Sequence, residues 1–218
     1  MTSARRQTAS PRGGLEADTS RILDATSGEA PADPGDAPTL ILTIGLPGSG
    51  KSTFCRRLAP RIDAVVLESD ALRLLLFGEP TYSRAENRRL FAALHAAAAE
   101  LLRRGRNVII DATSLKESDR RPAYALAEQT GARLLQLRFS APEHIIEQRL
   151  SQRLDAPDPD DSSSAGLRVY RRMAATAQAP HREYWDVDTS EAAETEAAMQ
   201  RVVEACRPRT GRVLGGIR

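Results

Sequence analysis

The stretch Gly45-Leu46-Pro47-Gly48-Ser49-Gly50-Lys51-Ser52 constrains this chain more than any other. It has the spacing of a phosphate-binding loop: Gly, four residues, Gly, Lys, Ser. Its glycines let the backbone curl until successive N–H groups point at one anion. Lys51 and Ser52 then open a helix whose positive dipole end faces the same point. Such a loop works only between a buried strand and a helix, so the fold must supply both. Residues 40–44 are an apolar, branched run fit for a buried strand, and residues 52–58 read as a short helix stopped near Pro60. The expected guest is the β,γ-phosphate end of a nucleotide, ATP, held by Gly45, Pro47, Gly48, Ser49, Gly50, Lys51, Ser52 and Thr53. Lys51 would bridge the β- and γ-phosphates, and the Ser52 hydroxyl would be a ligand of the accompanying Mg²⁺. Of the 31 basic residues only Lys51 and Lys116 are lysine. A compact ammonium suits a tight loop better than a guanidinium fork, which accounts for a lysine there.

With 218 residues, 41% hydrophobic and 28% charged, the chain holds one medium α/β core plus tails. A formal net charge of +2 demands neither a nucleic-acid nor a membrane partner on electrostatic grounds. Cys55 and Cys206 form no disulfide framework and lack metal-ligand spacing, as expected of reduced thiols in a cytoplasmic protein. No apolar run approaches the roughly 18 residues of a spanning helix. Residues 1–38 are rich in Ala, Ser, Thr, Gly, Pro and Asp, with little apolar material beyond Leu15, Ile22 and Leu23, and are expected to be a disordered tail. The folded domain is expected over residues 39–207, with a second short tail over 208–218. The sequence specifies no oligomeric state.

Beyond the loop, residues 64–67 form a second strand pattern with Glu68-Ser69-Asp70 at its C-terminal end, where parallel α/β sheets place their chemistry. Asp70 and Arg73 lie one helical turn apart on a common face. A long helix is expected from Ser83 or Arg84 to Arg104, its first turns carrying Arg84, Arg88 and Arg89, which either line a substrate groove or form a solvated face. Residues 107–111 are a third buried strand ending in Asp111, a candidate to hold Mg²⁺ or its water. Ser114 with Glu117 has capping-box spacing for the next helix. Residues 133–139 supply a fourth strand, residues 184–189 a fifth, and residues 191–206 a closing helix. Between the fourth and fifth strands, Arg149 and Arg153 share a helix face beside an acidic, Pro-rich segment. Arginines hinged there describe a lid that brings positive charge over a nucleotide.

These pieces together resemble the polynucleotide-kinase-like branch of the P-loop kinases, which includes the 5′-kinase domain of phage polynucleotide kinase, chloramphenicol phosphotransferase and the zeta-type toxins. The resemblance spans about residues 39–207. It rests on Gly45 to Ser52, on Asp70-Ala71-Leu72-Arg73, on Asp111 and on the pair Arg149 and Arg153. It implies an α/β fold, a P-loop NTPase three-layer sandwich with a five-stranded parallel sheet of order 2-3-1-4-5 and a helical lid. It implies Asp70 as general base on an acceptor hydroxyl, Arg73 as the residue that orients acceptor or phosphate, and Arg149 and Arg153 as lid arginines. The implied activity is an ATP-dependent kinase acting on a hydroxyl of a small molecule or on a 5′-hydroxyl of a nucleic acid. The alternative is a nucleotide-binding switch or slow ATPase. The lid departs from the family in being acidic, whereas a polynucleotide path favours positive charge. That ranks a small hydroxyl compound first.

Overall fold

Five apolar runs form a sheet whose strands are all parallel: β1 (Thr39–Ile44), β2 (Ala64–Glu68), β3 (Asn107–Asp111), β4 (Arg133–Ser140) and β5 (Trp185–Asp188). Their order is β2-β3-β1-β4-β5, the order expected for this class. The computed structural model describes residues 11–26, 37–155 and 167–207. The expected C-terminal tail lies outside them. Between and around the strands run α1 (Pro11–Thr26), α2 (Lys51–Leu58), α3 (Ser69–Phe77), α4 (Arg84–Arg103), α5 (Glu117–Thr130), α6 (Glu143–Asp155), α7 (Leu167–Ala174) and α8 (Ala192–Cys206).

All six residues of the central strand β1 are buried, because helices cover both faces of the sheet. The period of two sorts the strand residues between two cores. Leu40, Leu42, Val108 and Ile110 face one layer, with α3, α4 and α5, while Ile41 and Ile109 face the other, with α2 and α8. Burying each such side chain fully contributes about 1.5–3 kcal/mol, so the paired layers fix which way every strand faces. Thr43 is the polar exception in β1. Its hydroxyl, fully buried, donates to the Ala112 carbonyl at 2.8 Å and accepts from the Ala112 N–H at 3.1 Å, which locks the end of β1 to the end of β3. The strand ends that carry the loop and Asp111 are therefore held side by side.

Two expectations need correction. The expected disordered tail of residues 1–38 contains α1, which packs on α3 and α4. Ile22 of α1 is fully buried in the first core, and buried Asp18 accepts two hydrogen bonds from Arg89 of α4, at 2.6 and 2.8 Å. Arg21 donates to the carbonyls of Leu75 and Leu76 in the last turn of α3. A helix with a single deeply inserted apolar residue carries too weak a periodic signal to be read, and it is stable only because a partner surface awaits it. Second, α5 starts after Lys116, whose N–H donates to Asp119 Oδ2 at 3.0 Å, and Ser114 is not its cap. Ser114 takes a left-handed φ of 43°, and its carbonyl accepts from fully buried Arg120 at 2.9 Å. Among the described residues no helix is long and apolar enough to cross a membrane, and both cysteines are free and buried.

Candidate active site

The loop leaves β1 and turns into α2 above the C-terminal edge of the sheet, held from below and from outside. From below, the Gly45 N–H donates to the Thr113 carbonyl at 3.0 Å, and Phe54 of α2 meets Phe139 of β4 edge-on, ring centroids 5.1 Å apart. Gly48 and Gly50 have φ of 80° and 84°, where a side chain is strained. Neither position has room for one. A Cβ on Gly48 would lie 2.9 Å from Ile146 Cγ2, and one on Gly50 would lie 3.0 Å from Thr189 Oγ1. Lys51, at the first position of α2, is buried and donates from Nζ to the Leu46 carbonyl at 2.9 Å. The ammonium thus sits inside the curl of the loop.

A cavity of about 620 Å³ opens over this loop, floored by Pro47, Gly48, Gly50, Lys51 and Ser52. Three of the expected nucleotide-holding residues do not line it: Gly45 and Ser49 are buried, and Thr53 is exposed on α2. One wall is acidic. Asp111 and Glu68 are Cα partners in the β2–β3 register, so the two strands deliver their carboxylates side by side, and Asp70 follows in the first turn of α3. Asp111 is almost fully buried, Asp70 half-buried. Behind them Cys55 is held well above its ordinary thiol pKa, first by burial and then by the negative charge of Asp111. It stays a neutral thiol and offers no nucleophile.

The opposite wall is built on Arg73, which lines the cavity and is itself tightly held. Its guanidinium donates to Glu86 Oε1 and to Asn87 Oδ1, each at 2.6 Å, and lies over the Tyr82 ring, 4.7 Å from its centroid. Glu86 also accepts from the Thr81 N–H at 2.7 Å, from the Thr81 hydroxyl at 2.6 Å and from the Tyr82 N–H at 3.2 Å. The hydroxyl of Thr81 foremost, then the Arg73 guanidinium, pull the Glu86 carboxyl down to about 2. One buried carboxylate therefore neutralises Arg73 and pins the turn that holds Tyr82 at a φ of 53°. Arg84, Arg88 and Arg89 are exposed and do not line the cavity.

The expected lid arginines are placed differently from one another. Arg149, on α6, does not line the cavity. It donates to the Gly48 carbonyl at 3.3 Å, to Thr189 Oγ1 at 2.9 Å and to the Thr189 carbonyl at 2.6 Å. Thr189 in turn donates to the Ser49 carbonyl at 3.0 Å, so the pair braces the loop from outside. The side chain of Arg153 lies outside the described residues, as do residues 156–166 of the expected lid. It is α7 that roofs the cavity, with Val169, Arg172 and Met173. Their spacing of three and four residues marks one helix face and was readable. Glu68 was readable too, as a second acid closing a strand run beside Asp111. Thr189 left no local signal, since only the folding of β5 against β4 brings it to the loop.

The profile of the AAA domain family matches residues 40–180. An uncharacterized protein of Mycobacterium tuberculosis is 32% identical over 126 residues, which cover 52% of this chain and 25% of that protein. The chain thus spans about a quarter of the length of the curated relatives it matches. Among solved structures it is similar to the APS kinase CysC of Mycobacterium tuberculosis in complex with AMPPNP and APS, with a TM-score of 0.59 and 20% identity over 77% of this chain and 96% of that one. It is similar to Chaetomium thermophilum Kti12 in complex with ADP-AlF3, with a TM-score of 0.62 and 18% identity over 78% and 100% of the two chains. A gluconokinase from Sinorhizobium meliloti 1021 gives a TM-score of 0.52 and 22% identity over 78% and 95%. At these identities what is shared is the fold, the one that the two kinases and Kti12 have in common with this chain.

Proposed function

We propose that this chain, which belongs to the AAA domain family, is an ATP-dependent kinase that moves the γ-phosphoryl group of ATP to a hydroxyl of a second molecule. One observation carries the reading: the phosphate loop and Asp70 share one cavity. A nucleotide switch or slow ATPase has no need of a carboxylate beside the loop to serve an external hydroxyl.

In this reading the loop N–H groups and Lys51 receive the β- and γ-phosphates, Lys51 giving up its bond to the Leu46 carbonyl as it does so. The donor set fits Mg²⁺, a hard cation that keeps most of its waters and takes few protein oxygens. The Ser52 hydroxyl and Asp111 would hold it, with Glu68 beside them, and when bound it supplies neutralisation of phosphate charge. Asp70 accepts the acceptor's proton as the acceptor oxygen bonds to the γ-phosphorus. The bond from that phosphorus to the β,γ-bridging oxygen breaks, and ADP leaves. Arg73, fixed by Glu86 and Asn87, shapes the acceptor side of the cavity. Arg172, from the roof, supplies charge over the transferring group, the role expected of a lid arginine. Arg149 keeps the loop in register for binding. The two buried free cysteines support a reducing, cytoplasmic setting.

The test is turnover with γ-labelled ATP. ATP consumption should stay at background until a hydroxyl compound is added, and Lys51→Ala should abolish MgATP binding in calorimetry in a protein that circular dichroism shows still folded. Steady hydrolysis without any acceptor, unaffected by one, would favour the switch or ATPase reading.

A further inference from the structure

Resting on the kinase reading, we infer that Arg120 is a positioning residue of the site: it fastens the chain that leaves α7 to the short stretch that seats the phosphate loop, and so sets where Arg172 stands over the transferring group. That stretch is residues 113–115, just past β3, and its carbonyls accept from three separate parts of the molecule. The Thr113 carbonyl takes the Gly45 N–H at 3.0 Å, where the phosphate loop begins. The Ser114 carbonyl takes Arg120 Nη1 at 2.9 Å, from α5. The Leu115 carbonyl takes the Gln178 N–H at 2.9 Å, from the chain past α7. Between them Ser114 holds its left-handed φ of 43°, a conformation that is costly for a residue with a side chain and persists only where its surroundings fix it.

Arg120 closes this junction. It is fully buried, and besides Ser114 its fork reaches the Ala179 carbonyl, from Nη2 at 3.0 Å, while Nε donates to Glu117 Oε2 at 3.1 Å. The Glu117 N–H in turn donates to Gln178 Oε1 at 2.9 Å. Beyond Ala179 the chain stays laid along α5 and β4: the Arg182 guanidinium lies 4.3 Å from the centroid of the Tyr124 ring, and the Glu183 carbonyl accepts from Gln136 Nε2 at 2.9 Å. The roof helix has little else to locate it. Among the described residues none of α7 belongs to either main core, and it rests on α6 through Tyr170, packed with Ile146 and Leu150.

Packing alone does not call for an arginine at this place. Burying a charge is expensive, and an apolar side chain of similar volume commonly serves a core as well or better. What the planar fork adds is direction, since it holds carbonyls of two different segments at a fixed separation, which the point charge of a lysine does not. Electrostatic help to phosphoryl transfer needs that precision, because the charge must stand in place before the reaction and a misplacement of about 1 Å can cost on the order of a hundredfold.

The test compares two probes on the full chain by titration calorimetry. Mg-AMPPNP stands for the ground state, and Mg-ADP with aluminium fluoride puts a planar anion where the transferring group lies, with water in the acceptor's place. Arg120→Lys should weaken the fluoroaluminate complex about tenfold or more while Mg-AMPPNP binding stays within about twofold, as a group that acts on the transition state requires. Arg172→Ala should weaken the fluoroaluminate complex as much, and adding Arg120→Lys to it should cost nothing further, because the one acts through the other. Gln178 is exposed, and Gln178→Pro removes its N–H donor and its side-chain acceptor without touching the core, so it should reproduce the loss even where Arg120→Lys fails to fold. Parental fluoroaluminate affinity in either folded variant, equal losses for both probes, additive losses in the double variant, or a parent that binds the fluoroaluminate complex no more tightly than Mg-ADP would overturn the inference. The kinase reading fails separately, if the parent does not bind Mg-AMPPNP.

Discussion

Replacing Ile22 by alanine tests how an element with almost no sequence signal serves the site. Ile22 is fully buried between α1 and the α3–α4 layer, so the substitution loses its transfer free energy and leaves a cavity, about 2–5 kcal/mol together. For a domain of this size each kcal/mol moves the melting temperature by about 2–4 °C, giving a fall of roughly 4–20 °C. Removing residues 1–26 altogether should cost at least as much. It also takes away the Asp18–Arg89 pair and the Arg21 bonds to the Leu75 and Leu76 carbonyls, which tie down the last turn of α3, the helix that carries Asp70 in its first turn. Because α1 packs on α3 and α4, which carry Asp70, Arg73 and Asn87 of the cavity, the truncated protein should keep its MgATP affinity while its acceptor KM rises. Differential scanning calorimetry and phosphoryl transfer on both variants decide the matter. A melting temperature within about 2 °C of the parent in both would refute the docking of α1.

Three further outcomes are expected. Asp70→Asn should preserve folding and MgATP binding and lower the transfer rate by about a hundredfold or more, the range of lost general-base catalysis; a near-parental rate would move the base elsewhere, Asp111 first. Arg172→Ala should lower kcat about tenfold or more with little change in nucleotide affinity, whereas Arg149→Ala should weaken MgATP binding and cost about 1–3 kcal/mol by leaving the Gly48 and Thr189 carbonyls without their donor; reversed phenotypes would show that α6 and not α7 supplies the lid charge. The Glu86 carboxyl lies at about 2 in the folded protein against an ordinary 4.5, so its contribution to stability is present above 4.5 and is lost as pH falls through that value toward 2. The gap in melting temperature between the parent and Glu86→Gln should accordingly shrink across that window, and a gap constant with pH would refute the assignment.

The sequence by itself determined whatever depends on local chemistry. Glycines at 48 and 50 are needed because the loop turns through left-handed φ there, and that requirement is written in the residues that occupy it. Branched runs ending in Glu68 and Asp111 announced buried strands whose acids emerge at one edge, and β1, β2 and β3 form as those runs specify. Sheet order came from the family resemblance, since hydrophobic runs carry no information about which strand pairs with which. What the tertiary structure decided lies in contacts between residues far apart in the chain. Arg73 looked like a group for acceptor or phosphate, and only the approach of α4 shows its charge taken up by Glu86, 13 residues away. Arg149 and Arg172 look alike in sequence, yet the position of Thr189 turns the first against the back of the loop, while the face that α7 presents turns the second into the cavity. The helix α1 is the extreme case. Its composition reads as a tail because one inserted isoleucine and one buried aspartate make no pattern, and it is ordered by a surface that exists only once α3 and α4 have packed.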